Sequence, residues 1–118
     1  MRNYQRTKNN PYLLPQHLYG EVKYMLKDYQ RLKEEYEELS NDMSEERNWA
    51  KLCTTASKIS AIDTAVSGIP EEYRKGVLNN IRHERSRDGY YPNDADFRTY
   101  QNYKQRLIYL VAKNMNYV

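Results

Sequence analysis

The chain has 118 residues, of which 39% are hydrophobic, and its mean hydropathy is −1.08. These values indicate a single domain, or one domain with an extension, whose core is thin for its length. Cys53 is the sole cysteine, which excludes a disulfide framework within the chain and suits a reducing, cytoplasmic location. Because the sequence has neither an apolar run of about 18 residues nor a signal peptide, we expect no membrane partner.

The net charge of +3 is unevenly distributed along the chain. Residues 1–69 carry ten basic and ten acidic side chains, whereas residues 70–118 carry nine Lys and Arg against six Asp and Glu. A basic excess confined to one part of a chain favours nucleic acid over a membrane as its partner. An ordinary solvated surface is the alternative explanation for this excess.

Residues 1–13 form a basic, polar N-terminal arm in which we expect little regular structure. Arg2, Arg6 and Lys8 supply its positive charge, and Asn9, Asn10 and Pro11 follow them. An arm of this kind either frays in solution or reaches into a groove of DNA. Both possibilities stay open at the level of the sequence.

The region that follows predicts two long helices. Apolar residues recur at steps of three and four over residues 22–39, which predicts a helix of about 25 residues spanning 15–40. A similar spacing of apolar residues over residues 49–69, with smaller side chains such as Ala, predicts a second helix that ends at Gly68. Because a short turn separates the two helices, we expect a long antiparallel helical hairpin over residues 14–69.

The apolar stripe of this hairpin bears on the oligomeric state. It includes Tyr24, Met25, Leu26, Leu32 and Tyr36, which makes it wider than one partner helix needs. Because a small domain rarely leaves such a surface in water, we expect two chains to pack as a homodimer. In the competing arrangement, residues 70–118 fold back and cover the stripe within one chain.

Residues 70–118 predict two further helices joined by a polar connection. Pro70, Glu71 and Glu72 place a proline first and acids at the positive end of the helix dipole. The last helix begins near Thr99, and its inner face comprises Tyr100, Tyr103, Leu107, Leu110 or Val111, and Met115. The predicted fold is therefore all-α, a long antiparallel helical hairpin followed by a C-terminal degenerate helix-turn-helix.

We find no constellation of residues typical of an active site. His17 and His83 lack a second ligand at metal-site spacing, and the chain has no Gly-rich phosphate loop. Cys53 lies on a predicted helix face of Leu, Ala and Ile, so we expect it to be packed in the interior rather than to act as a nucleophile. We therefore expect no catalysis, no metal and no cofactor.

The last helix carries the residue types that read DNA. Arg pairs with guanine, and Asn and Gln pair with adenine, in the major groove. The candidate base-reading residues on its outer, N-terminal side are Arg98, Gln101, Asn102 and Gln105. Cations hold phosphates, and the candidates for that role are Arg82, Arg85, Arg87, Lys104, Arg106 and Lys113. The alternative is that this is simply the polar face of an amphipathic helix.

Two runs of sequence carry a family resemblance. Residues 69–78, which read IPEEYRKGVL, resemble the helix that enters the helix-turn-helix of sigma-factor region four. The whole chain is similar to small phage and prophage transcriptional regulators of the RinA/ArpU kind from Gram-positive bacteria, and residues 99–112 are similar to their recognition helix. The usual second helix of that motif, Ile-Ala-x-x-Leu-Gly-x-Ser, is absent, and residues 90–97 stand in its place.

This resemblance implies a DNA-binding transcriptional regulator whose partners are double-stranded DNA and RNA polymerase. The alternative is a helical adaptor or phage assembly protein that binds other proteins through its Tyr-rich faces. The outer face of the last helix distinguishes them. Exposed Arg, Gln and Asn side chains beside residues 82–87 favour DNA, whereas a continuous exposed patch of Tyr rings favours a protein partner.

Overall fold

The computed structural model describes Gln5 and residues 10–41, 46–82 and 97–118, without the side chains of residues 46, 47, 97 and 98. Within these ranges the chain forms helices and no strands, which confirms the all-α prediction. The helices are α1 (Gln16–Lys27), α2 (Tyr29–Asn41), α3 (Glu46–Ser67), α4 (Glu71–Arg82) and α5 (Phe97–Asn114).

The predicted first helix is divided at Asp28 into α1 and α2. The backbone of Asp28 has φ −92° and ψ 4°, and its N–H is shared between the carbonyls of Tyr24 and Met25. Its carboxylate accepts two hydrogen bonds from the Arg31 guanidinium, at 2.9 and 2.6 Å. Asp has a low helix propensity, and the carbonyl of Asp28 accepts from the Leu32 N–H at 2.9 Å in the first turn of the next helix, so we attribute the break to this residue.

The break allows the two helices to have different neighbours. α2 packs along α3, and the Tyr29 hydroxyl at the start of α2 donates to the Asp63 carboxylate near the end of α3. α1 instead packs against α4 and α5. Helices from both sides of the expected boundary at residues 69 and 70 therefore share one core.

The connection between α3 and α4 is tied down by Arg74. Its guanidinium donates to the carbonyl of Ile69 at 2.7 Å and to the carbonyl of Ser67 at 3.1 Å. The last carbonyls of a helix lack intrahelical partners, and a basic side chain can satisfy them. On the other side of the connection, the Tyr73 N–H donates to the Pro70 carbonyl at 2.9 Å, so α4 starts where the sequence predicts.

α5 occupies the centre of the fold, because it packs against α1, α3 and α4. Its buried side chains meet those of the surrounding helices in one hydrophobic cluster. The largest fully buried members of the core are Val22, Ile62, Ile69, Val77, Ile81, Tyr100, Leu107, Ile108 and Val111. Val22 and Leu26 on α1 are thus covered within the chain, as in the arrangement that competes with a dimer.

Two expectations for α3 are wrong. Trp49 is 58% exposed, although the spacing of apolar residues places it on the inner face, and Cys53 is exposed rather than packed in the interior. Thr55 is buried instead. α5 contacts α3 at Ala61 and near Gly68, which lie in the second half of α3. The first half of α3 packs mainly against α2, so fewer of its side chains are buried than the spacing of apolar residues predicts. Among the described helices, none is long and apolar enough to cross a membrane.

Candidate nucleic-acid interface on α5

The charge of α5 distinguishes it from the other helices. Its 18 residues include four cations and no Asp or Glu. By contrast, α2 contains four Glu against one Arg and one Lys. A helix without acids presents a positive surface wherever its polar side faces water, and such a surface attracts phosphates.

Most of the exposed part of α5 is a narrow line of residues, which we call the outward stripe, and Asn114 at the end of the helix is exposed outside this line. The outward stripe comprises Asn102, Arg106, Tyr109 and Lys113, spaced by four, three and four residues along the helix. Asn102 and Lys113 are exposed, and Arg106 and Tyr109 are half-buried. Side chains at this spacing lie on one side of a helix, so the stripe is continuous over about 16 Å.

Two of the predicted DNA-contacting side chains do not face outward. Gln105 and Lys104 are each 8% exposed, so their expected positions on the outer surface are wrong. Position 104 falls between the buried Tyr100 and Ile108 on the helix surface, on the side that faces the core. Gln105 lies on another side of α5, where it is covered by the N-terminal segment through its hydrogen bonds to Gln5 and to the Tyr12 carbonyl. The prediction from periodicity supposed that α5 is covered on one side only. Because α1, α3, α4 and the N-terminal segment all contact α5, more of its residues are buried than the spacing of apolar residues predicts.

The other candidates are distributed as follows. Gln101 is half-buried at the edge of the outward stripe, and Arg82 is exposed at the last residue of α4. Arg85 and Arg87, with the connection at residues 90–96, lie outside the described residues, as does the side chain of Arg98. The described surface of α5 therefore combines the exposed amides of Asn102 and, at the end of the helix, Asn114, the half-buried amide of Gln101, and the cations Arg106 and Lys113.

The segment that leads into α1 contributes a feature that the sequence did not reveal. The Gln5 side-chain amide donates to the Leu14 carbonyl at 2.7 Å and accepts from the Leu14 N–H at 2.9 Å. Gln105 donates from the same nitrogen to Gln5 Oε1 at 2.9 Å and to the Tyr12 carbonyl at 2.7 Å. These bonds fasten the N-terminal segment to α5. Two isolated glutamines one hundred residues apart carry no periodic signal, so the pairing was not predictable.

An aromatic contact extends this attachment toward the outward stripe. The rings of Tyr12 and Tyr109 lie 5.4 Å apart between centroids, at an interplanar angle of 58°. Tyr109 and Gln105 are four residues apart and occupy the same side of α5. The N-terminal segment thus runs beside the stripe from Gln105 to Tyr109.

Elsewhere, the part of the chain described by the structure offers little for catalysis or for a metal. It contains no group of three His, Cys, Asp or Glu side chains that could hold a metal ion. Tyr29 is the titratable group with the largest resolved shift. Burial raises the pKa of Tyr29 to about 12, and the hydrogen bond to Asp63 acts in the same direction. That pair joins α2 to α3.

Comparison of this chain with protein-family models, with curated proteins and with solved structures finds no match. The functional argument therefore rests on the residues of α5 and on the segment that lies beside them.

Proposed function

We propose that this protein is a DNA-binding transcriptional regulator of the phage and prophage type, which docks α5 in the major groove of double-stranded DNA. The observation that carries the proposal is the acid-free outward stripe, in which Asn102 and Lys113 are exposed and Arg106 lies between them. The resemblance of residues 69–78 and 99–112 to sigma-like regulators supports the same function, with RNA polymerase as a further candidate partner.

The dimensions of the stripe suit this mode of docking. The major groove is about 12 Å wide and admits an α-helix. α1, α3 and α4 pack against α5 and the N-terminal segment lies beside it, so α5 presents the outward stripe to the groove. Asn102 at the N-terminal part of the stripe reads a base, while Arg106, Lys113 and the exposed Arg82 contact phosphates.

The experiment that tests this function measures affinity for duplex DNA from the region upstream of the gene, by fluorescence anisotropy over a range of salt concentrations. Each neutralised phosphate contributes about −0.9 to the slope of log K against log salt, so three contacts predict a slope of about −3. Failure to bind at low salt, or binding that does not depend on salt, would overturn the proposal.

A second candidate, the helical adaptor that binds protein, has one observation in its favour. Tyr24 is 66% exposed on α1, Trp49 is 58% exposed on α3, and Tyr36 is exposed on α2. Trp49 is the single tryptophan, so its fluorescence reports on the surroundings of Trp49. A protein partner bound there shifts the emission of Trp49, whereas DNA bound to α5 leaves it unchanged.

A further inference from the structure

The side-chain amide of Gln105 has no N–H group available for a hydrogen bond to a DNA base. Both N–H groups of its amide are engaged, one with Gln5 Oε1 and the other with the Tyr12 carbonyl. Gln5 is itself 6% exposed, so water does not readily replace Gln105 as its partner. Buried polar groups in such a network depend on one another, and removing one member leaves the others unpaired. The network therefore acts as a unit.

The consequence of this network is the position of residues 10–12. The Tyr12 N–H donates to Asn10 Oδ1 at 2.9 Å, which closes a turn with an exposed Pro11 at its tip. The Tyr12 carbonyl is held by Gln105, and the Tyr12 ring rests on Tyr109 of the outward stripe. Residues 10–12 thus form a ridge along one flank of the stripe, which we call the N-terminal ridge.

The shape of DNA determines what the N-terminal ridge meets. An α-helix with its side chains is about 10–12 Å across, which nearly fills a major groove of about 12 Å. The two sugar-phosphate strands must therefore pass along the two flanks of a docked helix. One flank of α5 is occupied by the N-terminal ridge, so the strand on that side lies against Pro11 and Tyr12.

We propose that Gln105 is a positioning residue for DNA binding, which holds the N-terminal ridge against α5 so that the ridge contacts the sugar-phosphate backbone of one strand. This inference rests on the function proposed above. Gln105 assists binding without touching a base, so its loss weakens affinity for all sequences alike and leaves base preference unchanged.

The test uses the full chain and a fluorescently labelled duplex. Gln105→Ala and Gln5→Ala each lower affinity about tenfold, and the double variant loses no more than either single variant because the network acts as a unit. Gln30→Ala replaces an exposed glutamine on α2 and serves as the matched control. Tyr29→Phe weakens the α2–α3 contact instead and controls for a general loss of stability.

A second variant separates positioning from mere folding. Tyr12→Ala removes the ring from the N-terminal ridge but retains the backbone carbonyl that accepts from Gln105. Affinity falls as far as in Gln105→Ala, although the amide network stays in place. Circular dichroism establishes that every variant retains its helices at the temperature of the binding measurement.

The outcomes distinguish the inference from the proposed function. If the unaltered chain binds DNA and Gln105→Ala binds equally well, the inference is overturned while the proposed function stands. Additive losses in the double variant, or a change in base preference, also overturn it, because they contradict a single network remote from the bases. If the unaltered chain fails to bind duplex DNA, both proposals fail together.

Discussion

Gly76 on α4 faces the ring of Tyr100 on α5. A Cβ atom added at Gly76 would lie 2.9 Å from both Cζ and the hydroxyl of Tyr100, and that ring is fully buried. The Tyr73 ring meets Tyr100 edge-on, with centroids 5.6 Å apart, so Tyr100 cannot move toward Tyr73 without disturbing that contact. The absence of a side chain at position 76 is what allows α4 and α5 to approach.

Overpacking typically costs about 1–3 kcal/mol, and the gain of about 1 kcal/mol that Ala usually brings to a helix interior offsets part of this cost. We therefore expect Gly76→Ala to lower the free energy of unfolding by about 1–2 kcal/mol. Urea denaturation measures the difference. Gly68→Ala is the control, because its new Cβ meets the Ala65 carbonyl oxygen at 3.3 Å and the end of the Leu110 side chain at 3.4 Å, both farther than the Tyr100 atoms at Gly76, so its effect should be smaller. Equal stability of Gly76→Ala and the unaltered protein would contradict this packing.

Tyr29 links the stability of the protein to alkaline pH. Because its pKa is raised to about 12 in the folded state, the neutral phenol stabilises the fold below pH 10. That contribution is lost as the pH rises from 10 through 12, where the phenolate would face the Asp63 carboxylate. Tyr29 is half-buried, so solvent screens part of this interaction and we expect the effect to be about 1 kcal/mol or less.

Tyr29→Phe should accordingly flatten the fall in stability between pH 10 and 12, measured by chemical denaturation at each pH. Tyr24→Phe serves as the control, since Tyr24 is exposed and should leave the profile unchanged. Identical profiles for the unaltered chain and Tyr29→Phe would show that the hydroxyl of Tyr29 does not couple to Asp63.

The exposure of Cys53 predicts its reactivity. We expect the thiol to react with Ellman's reagent in the native protein at a rate close to that of an accessible cysteine, because its side chain faces solvent on α3. Cys53→Ser provides the blank. If the reaction instead required urea, the first half of α3 would be covered in solution.

At the scale of elements, the outward stripe of α5 separates base reading from phosphate binding. Asn102→Ala should reduce discrimination between DNA sequences by about 1–3 kcal/mol. Lys113→Ala should weaken binding to all sequences alike and lower the salt slope by about 1 unit. Competition between specific and unrelated duplexes measures the first effect, and titration at several salt concentrations measures the second. Identical behaviour of the two variants would show that the stripe does not read bases.

The burial of residues in α5 shows what the spacing of apolar residues can and cannot predict. Tyr100, Leu107 and Val111 are buried, as predicted from their spacing. Lys104 and Gln105 are buried as well, because α5 has helices on several sides and the N-terminal segment beside it. Periodicity identifies the centre of a buried face, but the width of that face depends on the number of neighbours.

At the scale of the whole molecule, burial of the apolar residues of α1 within the chain changes the expected oligomeric state. Val22 and Leu26 are buried by residues of the same chain, so they no longer require a second copy. We expect light scattering at micromolar concentration to give a mass near 14.2 kDa. A mass of twice that value would instead show that a second copy covers the exposed Tyr24, Tyr36 and Trp49. The interface of the homodimer would then be formed by those aromatic residues.

The sequence by itself determined the helical class and most helix boundaries, because those depend on interactions within a few residues. Proline before α4, glycine after α3 and the spacing of apolar residues act locally and are legible in one chain. The tertiary structure decided which polar residues face water. Gln105 meets Gln5 across one hundred residues, and Trp49 is exposed because no described helix covers it. Such contacts depend on how helices are placed in space, and no local pattern records that placement.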